Sequence, residues 1–323
     1  MLPATNFNPN KEVKIITVTA TNGIHFKVSS YGAGLLELFL KDKNGKTANI
    51  VYRFENIEDY WSEKHDCYMG VTMGRFSRCI EKGRFFSNNQ SYQLSLNENG
   101  HHFHGGSVGF DKYNWDTTVA QTETETSVIF SLKSMDGDEG YPGNVTVTAT
   151  YTLNEKNQFS ISYSGVSDKD TLLSLSNHAF WNLASTGTID SHFLEIPSEK
   201  YVPANSDFIP NEKPKSNKGT DLDFSRLRQI KKTKIDQCFV LNQDDGVNPI
   251  RFYHPQSGRN LEIITNQPIL AVYTGDHLPA QRAGITFQSG AYPNAPNYMA
   301  QASAIIKAEE KYHHYFKITF SIK

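Results

Sequence analysis

The stretch SVIFSLKSMDGDEGYPGNVTVTATYTL, residues 127–153, decides the fold. Its two flanks, SVIFSLKS and NVTVTATYTL, alternate apolar with polar residues and are rich in Val, Ile and Thr, the period of a strand with one face in water. DGDEGYPGN between them supplies the Gly, Asn and Asp that a tight reversal needs. The stretch therefore predicts strand, turn, strand. The same alternation recurs along the chain in VKIITVTA, IHFKVSSYG, QFSISYSG, LEIITN and YFKITFSI, and further turn clusters read KDKNGK, NENG, NQDDG and HPQSGRN. Helical periodicity is confined to NIEDYWSE and DFSRLRQI, too little to supply the crossover helices of a parallel sheet. An all-β chain follows, built as a large antiparallel β-sandwich.

Length permits two average domains, but all-β folds often exceed 200 residues as one unit. The polar, Pro-rich segment from Ile196 to Ser225 resembles a linker, yet strand pattern continues on both sides without a change of composition. It is expected to be a long loop within one domain covering residues 1–323, and loops of that kind often carry function. Acidic and basic residues nearly cancel, 34 against 32, and form no long block of either sign. No nucleic acid or membrane surface is expected as a partner, since both require clustered Lys and Arg; a small uncharged molecule is. No apolar run approaches the roughly 20 residues that span a bilayer, and MLPATNFNPNKEV lacks the layout of a secretory signal. A cytoplasmic protein, monomer or homodimer, is the expectation. Cys67, Cys79 and Cys238 are odd in number and lack CxxC spacing, so unbridged thiols are expected. The sequons at Asn89 and Asn144 would matter only in a secreted chain.

Histidine is the first place to look for proton transfer near neutral pH. Two of the eleven stand out. His104 lies in NGHHFHGGSVGF, where Gly105 and Gly106 allow close backbone approach to a ligand. His178 follows Asn177 as a polar pair inside the apolar strand text LLSLSNHAFWNLAS. Two charged residues, Arg75 and Asp236, also interrupt strand-like text; each is either half of a structural ion pair or a ligand for a polar molecule. Sugars are held by such groups together with aromatic rings, and Phe180, Trp181 and Tyr292 lie beside these positions. Each histidine is equally a residue hydrogen-bonded within the fold, and the commoner fate of such rings is core packing. No metal, phosphate-loop or nucleophile-elbow motif is present, and the carboxylates of MDGDEGYPG are spaced for a reversal rather than for calcium.

Read in order, GRFSRCIEKGRF, HHFHGG, DGDEGYPGNVTVTATYTL, SNHAFWNL, IDQCFVLN, YTGDHL and GITFQSGAYPNAPN resemble the signature segments of the aldose 1-epimerase (galactose mutarotase) family. The resemblance covers nearly the whole chain. It implies one large antiparallel β-sandwich with a sugar cleft, needing no cofactor and no metal. It also implies mutarotation, in which a carboxylate takes the proton of the anomeric hydroxyl while a histidine protonates the ring oxygen. By motif position His178 matches the acid, His104 a second active-site histidine, Arg75 a hydroxyl-binding arginine and Asp236 an aspartate that holds sugar hydroxyls. Asn177, Phe180 and Tyr292 are expected beside the sugar. The position of the base, a glutamate in the family, is Gln288 here. Other departures are Arg78 and Cys79 in place of Asn and Arg, Gln237 in place of His, and Gly290 in place of Gln. Three expectations compete: an epimerase whose base is Asp236, His104 or a water; a carbohydrate-binding or regulatory protein without turnover; and a different proton transfer on a cyclic hemiacetal or related carbonyl compound.

Overall fold

The computed structural model describes residues 12–62, 67–242, 248–298 and 304–323. Most of NQDDG and the N-terminal segment through residue 11 lie outside these. Residues 127–153 lie in two strands, Glu125–Ser134 and Val145–Asn154, and the turn between them; the strands pair antiparallel with Phe130 opposite Ala149. Alternation does what the sequence requires of it. Val128 and Phe130, with Val145, Val147, Ala149, Tyr151 and Leu153, are buried, while the residues between them are exposed or half-buried.

These strands belong to a nine-stranded sheet, in which Gln158–Ser167 and Tyr312–Ile322 continue the ladder. A seven-stranded sheet runs in the order Lys215–Ser216, Lys200–Val202, Asp236–Val240, Ile269–Tyr273, Ile285–Gly290, Phe180–Trp181, Val51–Tyr52. A four-stranded sheet near the N-terminus starts with Ile15–Thr19. All pairings between these strands are antiparallel. The sheets are layered on one main apolar core that draws residues from Val18 to Phe320. Phe252 meets Phe287 across the two large sheets at 5.3 Å between ring centroids, and Phe26 of the small sheet meets Phe159 at 5.2 Å. The protein is thus an antiparallel β-sandwich.

Three local expectations are corrected. DFSRLRQI is not helical: Arg228–Gln229 is a short edge strand against Phe193–Glu195. Phe224 and Ile230 are both fully buried while Leu227 between them is left out in solvent, which no single helical stripe would do. NIEDYWSE supplies only a 3₁₀ turn, Ile57–Trp61. The segment from Ile196 to Ser225 is more than a loop, because Lys200–Val202 and Lys215–Ser216 within it extend the seven-stranded sheet. Turns within the segment satisfy other backbone groups, as where Asn205 N donates to Ile209 O and Thr220 N to Asn217 O.

Candidate active site

The register of the seven-stranded sheet builds the site. Val202, Cys238, Ala271 and Gln288 stand opposite one another across four neighbouring strands. Asp236, Tyr273 and Thr286 form the next such row. Side chains alternate along a strand with period two, so both rows point to one face, while Phe239, Leu270, Val272, Phe287 and Ile285 point into the core. Both rows open on a cavity of about 330 Å³, lined by Val202, Asp236, Cys238, Ala271, Tyr273 and Gln288 of the sheet. That size is at the lower end of small-molecule pockets, about 300–1,000 Å³.

Gln237 of the sheet also lines it, and loops supply His104, His178 and Arg78. The His104 and His178 rings meet edge to face at 5.6 Å between centroids. Tyr68 packs on His104 at 4.7 Å, and Phe103, Phe208 and Tyr273 add aromatic surface to the walls. His104 has a left-handed backbone, φ 51°. Its Nδ1–H donates to the Ser77 carbonyl at 2.8 Å, which leaves Nε2 as the acceptor of a neutral ring. Burial, reinforced by neighbouring His178 and Arg78, holds its pKa well below the usual histidine value.

Gly105 and Gly106 serve packing rather than a ligand. A Cβ on Gly105 would lie 1.9 Å from the Gly74 carbonyl oxygen, and one on Gly106 would lie 2.1 Å from the Glu139 carboxylate. Glu139 accepts the N–H groups of Ser107 and Val108, each at 2.9 Å, and the hydroxyl of Ser95. The reversal predicted for MDGDEGYPG therefore anchors the His104 loop, and its Asp136 accepts from Gly143 N at 2.6 Å.

Asp236 stands in the cleft with its side chain open to the cavity. The enclosing protein still strips enough water to raise its carboxyl pKa to about 6, with His277 opposing. Gln288 is buried and fully engaged: Oε1 accepts from Arg78 Nη1 at 2.8 Å, Nε2 donates to Thr286 Oγ1 at 2.8 Å, and its main-chain carbonyl accepts from Arg78 Nη2.

The other residues expected in the site lie behind its lining. Arg75 is turned away from the cavity, 2% exposed. It donates to Ser134 Oγ at 2.8 Å and to the carbonyls of Met135, Pro142 and Gly143 at 2.7, 3.0 and 2.9 Å, and so clasps the reversal. Asn177 donates to the Gly70 carbonyl at 2.6 Å and to Tyr151 Oη at 3.1 Å, fixing the strand that precedes His178. Phe180 is wholly buried and packs against the His178 ring at 5.1 Å. Tyr292 packs beside Tyr298 while its neighbour Pro293 reaches the cavity. Sequence reasoning overlooked Arg78, Tyr68, Tyr273 and Cys238 as lining residues. The signal for two of them was available, since Cys238 is two residues after Asp236 and Tyr273 opens the segment YTGDHL.

Comparison with known proteins agrees with this architecture. The family profile for aldose 1-epimerase matches residues 14–319. An aldose 1-epimerase of Haemophilus influenzae is 32% identical over 99% of this chain and 100% of its own length. A galactose mutarotase of Sus scrofa is 30% identical over 91% of this chain and 90% of its own. Among solved structures, a GalM/aldose epimerase homologue from C. elegans superimposes with a TM-score of 0.89 at 26% identity, covering 96% of this chain and 99% of that one. The galactose 1-epimerase of Lactobacillus acidophilus gives 0.87 at 27%, covering 97% and 96%.

Proposed function

The chain belongs to the aldose 1-epimerase family, and we propose that it interconverts the anomers of an aldose using Asp236 as base and His178 as acid. The observation that carries this reading is the convergence of His178, His104 and Asp236 on one small cavity walled by aromatic rings. Rings of this kind cover the apolar face of a sugar, and polar groups between them take its hydroxyls.

Gln288 stands where the resemblance implies a glutamate. A neutral amide does not accept a proton at pH 7, and both ends of this one are already bonded to Arg78 and Thr286. Asp236 is the carboxylate on the same sheet face. A pKa of about 6 makes it a stronger base than an ordinary aspartate while leaving it mostly ionised at pH 7. In the forward direction its carboxylate takes the proton of the anomeric hydroxyl as His178 gives a proton to the ring oxygen. The bond between the anomeric carbon and the ring oxygen breaks, and the anomeric oxygen becomes an aldehyde carbonyl. Rotation exposes the other carbonyl face. On reclosure His178 recovers its proton from the attacking hydroxyl and Asp236 returns the other, so no proton is gained or lost. His104 Nε2, an acceptor in the neutral ring, binds a sugar hydroxyl.

Anomer exchange measured by saturation-transfer NMR on a panel of aldoses tests the assignment. His178→Asn and Asp236→Asn are each expected to lower the exchange rate by about 10²–10⁴ with the fold intact by circular dichroism. Unchanged exchange in either variant removes that residue from proton transfer.

A further inference from the structure

We propose that the sugar taken by this cleft carries a carboxylate, seated on Arg78; this rests on the reading of the cleft as a sugar site. Arg78 is 4% exposed and lines the cavity. Its guanidinium meets only neutral acceptors, the side-chain and main-chain oxygens of Gln288, and its Nε has no hydrogen-bond partner among the described residues. A buried cation is costly unless a counter-charge meets it, and here the described protein supplies none in contact.

The neighbours do not fill that role. Cys79 and Cys238 stay neutral thiols, because burial pushes the former up to about 12 and raises the latter as well. Among the described residues two carboxylates line the cavity, Glu98 and Asp236; neither forms an ion pair with Arg78, and the Asp236 charge reaches it only through the cavity. The amide at position 288 completes the arrangement, since a glutamate there would put an anion in contact with the guanidinium, which Gln288 does not. Each terminal nitrogen of Arg78 carries a second N–H beyond the one given to Gln288, and a carboxylate in the cavity would take these, since Nε is itself enclosed by protein. A single such cation matches a monoanion, and a phosphate monoester, carrying about two charges, would call for more donors. The uncharged ligand expected from overall composition is therefore replaced by a uronic acid, an aldose oxidised at its terminal carbon.

The test is calorimetric binding and anomer exchange with D-glucuronate and D-galacturonate, beside D-glucose, D-galactose and glucose 6-phosphate, for the natural chain, Arg78→Gln and Arg78→Lys. The natural chain is expected to bind a uronate at least about tenfold more tightly than its parent hexose. Arg78→Gln should abolish that preference and Arg78→Lys keep part of it. Equal affinity for uronate and parent hexose in the natural chain overturns the proposal without recourse to any variant, and so does a preference for glucose 6-phosphate. A uronate preference that survives Arg78→Gln overturns it as well. Uronate binding that depends on Arg78 without anomer exchange upholds the carboxylate and sinks the mutarotase reading; exchange of neutral hexoses with uronates excluded does the reverse.

Discussion

Arg75 and Arg78 stand three residues apart, and their side chains end in opposite surroundings. Arg75 is a clasp for the reversal, hydrogen-bonded at Nε and at both terminal nitrogens. Arg78 lines the cavity beside Gln288. Text alone could not sort them, because the segment carrying both is irregular apart from the short strand Thr72–Met73, and without a period there is no rule for which way a side chain faces. The assignment has a measurable consequence. Arg75→Met should leave buried carbonyls unpaired and destabilise the protein by at least ~2 kcal/mol in urea denaturation, while sugar affinity measured on the folded fraction stays within a few-fold. A large selective loss of affinity with unchanged stability would instead make Arg75 a sugar ligand.

At the level of elements, strands and their turns were legible because alternation and turn chemistry are local. The stretch around the 136–144 reversal is the clearest case, and its burial pattern repeats its letters. The cavity was less legible because it depends on register among strands scattered from Lys200 to Gly290, which local text does not encode. His104 and His178 could be picked out as unusual, but their meeting at 5.6 Å is a property of two loops brought together by the sandwich. The His104 loop is held by contact as much as by conformation. Gly105 has φ 101° and its Cα sits against the Gly74 carbonyl. Gly105→Ala should therefore cost roughly 1–3 kcal/mol of stability and, by displacing His104, lower kcat/KM. Wild-type stability and rate in that variant would show that the loop tolerates movement.

For the whole molecule, the buried histidines set an acid limit. Burial lowers the pKa of His102 to about 4 and those of His192 and His314 to about 3, from an unfolded value of 6.5. The unfolded chain binds more protons than the folded one between those values. Their contribution to stability is thus full above about pH 6.5 and is lost progressively as pH falls toward 3–4. Asp236 acts with the opposite sign, because its raised pKa favours the folded state below 3.8 and that contribution fades as pH rises through about 6. With His104 and His254 lowered in the same way, the histidines outweigh the raised Asp236 and Asp111, so the melting temperature should be nearly flat above pH 7 and should drop steadily below 6.5; a flat profile down to pH 5 would contradict these burials. What the same scaffold does to a sugar is read by saturation-transfer NMR of anomer exchange with the natural chain, from pH 5 to 8 and against buffer alone. We expect exchange well above the buffer rate, with an acidic limb that falls as Asp236 takes up its proton near pH 6. Exchange no faster than buffer on every neutral aldose and uronate tried, with folding intact, would contradict the claim that this cleft performs mutarotation.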